Sequence, residues 1–164
     1  MPNLAELNAL DREAFTRVVG PVFEHSPWIA KRTWASRPFV SIQKLHSRLC
    51  ETVEAASSEE QLSLVRAHPN LVTRAALTRE SQSEQASADL NGLSDDEARK
   101  FQDYNAQYRE RFGFPFVICA RLNKKEAILR AFPVRLQNSS EREVETALAE
   151  IFKIAELRLH DLIR

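Results

Sequence analysis

Apolar residues recur along this chain at intervals of three and four. Ile42, Leu45, Leu49 and Val53 do so in one stretch, and Val144, Leu148, Ile151, Ala155, Leu159 and Leu162 in the last. That spacing places each set on one face of an α-helix. Helix-start signals stand ahead of such stretches. Asp11 precedes Arg12–Val19, Ser41 precedes Ile42, and Ser26-Pro27 offers a cap with proline at the first helical position, ahead of a short helix holding Trp28, Ile29 and Trp34. Four Ser-x-x-Glu tetrads, Ser57 to Glu60, Ser81 to Glu84, Ser94 to Glu97 and Ser140 to Glu143, fit the capping box, in which serine and glutamate satisfy each other's free backbone donors. The helix after Ser94 is expected to reach Phe112 and stop at Gly113. Only three glycines occur in 164 residues, with no Asn-Gly or Asp-Gly hairpin signal. The pattern predicts an all-α, single-domain bundle of about eight helices covering residues 1–164, without repeats, low-complexity segments or linkers.

Two segments interrupt it. His68-Pro69 ends the helix that begins at Ser58, because the residue before a proline is pushed out of the α region. Phe114-Pro115-Phe116-Val117-Ile118 follows Gly113, and its proline and bulky side chains predict a short extended stretch between helices. Extended backbone among helices leaves N–H and C=O groups in need of partners, and a polar ligand is one candidate.

Composition narrows the function. Lys plus Arg and Asp plus Glu are both 23, so the formal net charge is zero, and the basic excess typical of nucleic-acid binders is missing. The longest run without a polar residue, Phe112 to Ala120, is nine residues, against about 20 for a membrane-spanning helix. The N-terminal Met1-Pro-Asn-Leu-Ala-Glu-Leu lacks the features of a signal peptide, and Cys50 and Cys119 stand without a CxxC or Cys/His cluster. A cytoplasmic protein with reduced thiols, binding neither nucleic acid nor membrane, is expected.

Few residues carry chemistry. His25, His46 and His160 stand in ordinary helical or cap contexts, whereas His68 falls at a helix C-terminus, which favours an imidazolium by roughly 0.3–1 kcal/mol when exposed. It reads either as a terminator satisfying carbonyls or as a proton-handling group. Glu84 reads as a cap residue or an acid. Arg158 shares a face with Ile151, Ile154 and Ala155, and either snorkels to water or serves a buried anion. No HExxH, calcium-loop, paired-thiol, phosphate-loop or GxSxG pattern occurs, so an enzyme built on this chain is expected to use no metal and no cofactor.

FTRVVGPVFEHSPWIA at Phe15 to Ala30, HPNL at His68 to Leu71, SQSEQ at Ser81 to Gln85, FGFPFVI at Phe112 to Ile118 and IAELRL at Ile154 to Leu159 together resemble the OHCU decarboxylase family (2-oxo-4-hydroxy-4-carboxy-5-ureidoimidazoline decarboxylase), in order and across nearly the whole chain. The resemblance implies an all-helical, cofactor-free enzyme, usually a homodimer, that converts the small molecule OHCU to S-allantoin in the last step from urate. It implies His68 as the catalytic histidine, with Pro69 beside it at the substrate. Glu84 would be the acidic partner, within a substrate-contacting segment of Ser81, Gln82, Ser83, Glu84 and Gln85. The substrate-binding strand would fall on Phe114, Pro115, Phe116, Val117 and Ile118, with Arg158 as a site arginine and Glu24 lying in the first motif. The chain departs from the family pattern at Val72, where members commonly carry a small residue, and in a short stretch from His68 to Ser81.

Overall fold

In the computed structural model, which describes residues 1–72 and 77–164, helices begin where short polar side chains can take the first free backbone donors. Nine α-helices are present among the described residues: α1 (Leu4–Ala9), α2 (Arg12–Val19), α3 (Trp28–Thr33), α4 (Ile42–Glu54), α5 (Ser58–Arg66), α6 (Arg79–Ser87), α7 (Asp95–Phe112), α8 (Lys125–Arg135) and α9 (Ser140–Leu162). No β-strand occurs among them. The fold is all-α, as the periodicity predicts. Asp11 caps α2, Ser41 caps α4, and Ser57/Glu60 and Ser94/Glu97 form complete capping boxes. Gly113 ends α7 in the left-handed region at φ 76°.

Three expected caps are displaced. The Ser26 hydroxyl donates to the Glu24 carbonyl and leaves α3 without a side-chain cap. At α9 the Arg142 N–H donates to Ser139 Oγ, one residue before the expected Ser140, which frees Glu143 for the interior. At α6 the cap is Thr78, whose Oγ1 accepts from Ser81 N–H. Ser81 is therefore the third residue of the helix and Glu84 lies in its middle.

The chain divides into two compact units, Met1–Ala67 with Phe152–Arg164, and His68–Ile151. In the first, α2 packs on α3 and α3 on α4, burying Phe15, Val19, Ile29, Leu45, Leu49 and Val53 completely. His46 bonds the Phe152 carbonyl at 2.8 Å, tying α4 to the last turns of α9. In the second, α7 and α8 bury Phe101, Tyr108, Ile128 and Phe132, with Phe132 stacked on Tyr104 and on Phe116. The α9 stripe is buried at Leu148, Ile151, Ala155 and Leu159 and half-buried at Val144 and Leu162.

No neighbour lies within 4 Å of a Cβ built on Gly113, so its backbone alone demands glycine. Gly113→Ala is expected to lower stability by about 1–2 kcal/mol, the cost of a left-handed L-residue. Urea unfolding measures it, and an unchanged midpoint would remove the requirement.

Candidate active site

Helix α5 closes on Ala67, whose N–H reaches back to the Ser63 and Leu64 carbonyls. His68 follows directly and is buried, 8% exposed, while Pro69 and Asn70 are half-buried. The chain after His68 is held from two helices. Asn105 of α7 donates from Nδ2 to the Leu71 carbonyl at 2.8 Å, and Val72 N–H donates to Gln85 Oε1 of α6 at 3.3 Å. Val72 itself sits at φ 55°, a region a β-branched residue rarely enters. A left-handed backbone favours glycine, which has no Cβ to strain. Residues 73–76 of the stretch from His68 to Ser81 lie outside the described residues.

The shift of the α6 cap to Thr78 decides which part of Ser81–Gln85 faces inward. Ser81, Glu84 and Gln85 fall on one helical face and are buried, whereas Gln82 and Ser83 are turned to solvent. A glutamate in mid-helix has no capping duty, so the cap reading of Glu84 falls. Gln85 uses its carbonyl oxygen to hold the loop after His68.

From Phe114 to Ile118 the chain has neither helix nor strand and is buried throughout. Phe114 and Phe116 set their rings edge-on to Tyr108, so these two side chains belong to the core. One polar backbone group of this stretch and one of the residue after it find partners within the chain. Arg135 Nη1 donates to the Val117 carbonyl at 2.6 Å, and Cys119 N–H donates to Glu150 Oε1 at 3.1 Å. Burial pushes the Cys119 thiol up, and the Glu150 and Glu84 carboxylates add to the shift. Helix α6, which carries Glu84, packs on the short turn at Ala120–Leu122 that follows this segment.

Arg135 is held in turn by Glu143, which is fully buried. Glu143 Oε1 accepts from Arg135 Nε at 2.8 Å and from Tyr108 Oη at 2.6 Å, and its Oε2 accepts from Asn138 Nδ2 at 2.8 Å. The sequence reading missed this cluster. The available signal was an arginine at helical spacing from apolar Ile128 and Phe132, the same placement that singled out Arg158.

Arg158 belongs to the first unit and does not snorkel. It is 6% exposed, and its Nη1 and Nη2 both meet Glu24 Oε2 at 3.3 Å while Nη1 also donates to the Pro21 carbonyl at 3.1 Å. Glu24 is thus the counter-charge of Arg158. Of the residues expected at the site, His68, Glu84, Gln85 and the Phe114–Ile118 segment lie in the second unit, and Arg158 and Glu24 in the first. Among the described residues no group of three or more His, Cys, Asp or Glu side chains is placed to hold a metal ion, and no helix is long and apolar enough to cross a membrane.

The second unit thus holds a buried histidine just past a helix end, a buried mid-helix carboxylate and a buried non-helical backbone. The chain belongs to the OHCU decarboxylase family, whose model matches residues 8–160. The OHCU decarboxylase of Haloferax volcanii is 47% identical over 156 residues, 95% of this chain and 93% of that protein. The crystal structure of an (S)-allantoin synthase superposes with a TM-score of 0.81 at 27% identity, over all of this chain and 54% of that longer one. An OHCU decarboxylase crystallised in the presence of (S)-allantoin gives 0.70 at 27% identity, over 82% of this chain and 89% of its own.

Cys50, one turn from His46 on α4, is pushed up to about 12 by burial, with Glu54, Glu156 and Glu51 adding to it. A thiol whose folded value lies above its ordinary 9.0 stabilises the fold fully below pH 9 and loses that contribution as the pH climbs toward about 12. Stability is therefore expected to fall over that window, and Cys50→Ser to flatten the fall. Equal alkaline slopes for the two proteins would contradict the assignment.

Proposed function

We propose that this protein decarboxylates OHCU to S-allantoin by acid–base catalysis without a cofactor, completing the conversion of urate to allantoin. The observation that carries the reading is membership of the family over residues from both units; the burial of His68 and Glu84, the two residues the motif resemblance implies, supports it. On this reading residues 1–164 act as one catalytic domain, in a cytoplasmic homodimer.

The substrate's name defines the electron flow. The bond from the hydroxyl-bearing ring carbon to its carboxylate breaks, and the electron pair moves through the neighbouring ring carbon onto the imine nitrogen, which takes a proton as CO₂ leaves. The resulting enol then gives up its hydroxyl proton to form the ring carbonyl, while the ureido-bearing carbon takes a proton on one face. Carboxylate is replaced by hydrogen and nothing is oxidised.

Two proton transfers at adjoining atoms call for groups that both give and take. Imidazole titrates in the physiological range, which suits His68, and Glu84 is its acidic partner. Pro69 and the inward face of α6, through Ser81 and Gln85, would border the ring. The Phe114–Ile118 backbone would lie along its flat edge. Such groups contribute through orientation and electrostatics.

Replacement of the two central residues tests the reading. His68→Asn is expected to lower kcat for OHCU by about the 10²- to 10⁴-fold that general acid–base catalysis supplies, with unchanged circular dichroism. Glu84→Gln is expected to lower it as well without shifting the melting temperature, since Glu and Gln have nearly equal helix propensity. Wild-type kcat in both variants would rule the pair out.

A further inference from the structure

The Val117–Ile118 peptide carries its two polar groups on opposite edges, because a trans peptide points its C=O and its N–H apart. The carbonyl edge is committed to the interior. Arg135 Nη1 donates to it at 2.6 Å, a bond whose donor carries a full charge. The guanidinium is itself immobilised. Its carbon lies 4.1 Å from the centre of the Phe116 ring, its Nε is held by Glu143, and the residue is 7% exposed. A cation on a carbonyl oxygen draws electron density through the amide, and bonds linked in this way strengthen one another. The N–H on the far edge, that of Ile118, thereby becomes a stronger donor.

We infer that Arg135 is a positioning residue for the decarboxylation: it fixes the Val117–Ile118 peptide with its carbonyl turned inward, so that a polarised Ile118 N–H is presented to the substrate's ring carbonyl oxygen. The inference rests on the proposed OHCU activity. As CO₂ leaves, the electron pair that reaches the imine nitrogen is shared with the adjoining ring carbonyl, so negative charge gathers at the oxygen this donor meets. A donor aimed where charge develops stabilises the transition state more than the ground state. Arg135 acts through one peptide and does not touch the substrate. Glu143 keeps the guanidinium in place and Tyr108 keeps Glu143 in place, so a chain of hydrogen bonds from α7 through α9 and α8 ends at the segment proposed to hold the ring.

Three variants test it beside the wild type, with kcat and KM for OHCU measured on each. Arg135→Met alone would strand Glu143 as a buried unpaired charge, so it is combined with Glu143→Gln, whose amide oxygen still accepts from Tyr108. In the second variant the Ile118 amide is replaced by an ester, with isoleucine's α-hydroxy analogue at position 118, deleting the N–H while keeping the side chain. The double variant is expected to lose about tenfold in kcat with KM held within twofold. The ester is expected to approach the roughly 10²- to 10³-fold lost on removing an oxyanion donor. Arg135→Lys, which keeps a cation able to reach the Val117 carbonyl, is expected to recover part of the kcat lost in the double variant. A folded ester variant with wild-type kcat would overturn the inference, whether or not the double variant folds. So would a double variant whose rate loss only tracks its unfolded fraction. Absence of turnover by the wild type would overturn the activity reading and this inference with it, whereas wild-type turnover with an unimpaired ester overturns this inference alone.

Discussion

A guanidinium buried with only 7% exposure has to be answered by neighbouring groups, and around Arg135 that requirement fixes the geometry of the second unit. Glu143 supplies the counter-charge, and Tyr108 and Asn138 supply further donors to the same carboxylate. The Val117 carbonyl takes the guanidinium's other end. Four separate stretches of chain are thereby held at one point: mid α7, the end of α8, the first turn of α9 and the extended segment. A buried ion pair of this kind is poor evidence for net stability, because the desolvation of two charges offsets much of their attraction. Its effect here is on geometry, since losing one partner would strand the other, at a cost of about 3–5 kcal/mol. The non-helical Phe114–Ile118 stretch keeps a defined path without a sheet to pair with.

The same need recurs at smaller scale. Arg158 and Glu24 answer each other, Glu150 answers the Cys119 N–H, and Asn105 and Gln85 answer the backbone that follows His68. The positions expected to carry chemistry are thus placed by polar side chains from helices distant in sequence.

Local features were legible and non-local ones were not. The periodicity of α4 and α9, the caps at Asp11, Ser41, Ser57 and Ser94, and the stop at Gly113 all depend on neighbours within about one turn, so the residue order carries them. Where several Ser or Thr residues crowd a helix start, the register is ambiguous. Thr78 displaced Ser81, and Ser139 displaced Ser140. Both displacements matter, because each releases a glutamate, Glu84 or Glu143, from an expected capping role into a buried one. Whether Arg158 snorkels or meets a buried anion stayed open in the sequence because its counter-charge lies 134 residues away. Arg135 went unnoticed for the same reason, and its partner carbonyl lies in a stretch with no periodic pattern to place it. Motif resemblance pointed to His68, Glu84 and the extended segment, and the fold shows all three buried, while the polar groups around them became visible only with the fold.

A site that holds the ring against one donor would protonate a single face of the planar intermediate. When CO₂ is lost free in water, the planar enol is open to protonation from both faces, so the uncatalysed reaction is expected to give racemic allantoin. The most direct test is to add the protein to freshly generated OHCU and record the loss of substrate absorbance together with the circular dichroism of the allantoin formed. Accelerated decay with accumulation of optically active S-allantoin is the predicted result. Racemic allantoin at the rate of the uncatalysed reaction, from folded protein, would contradict the account.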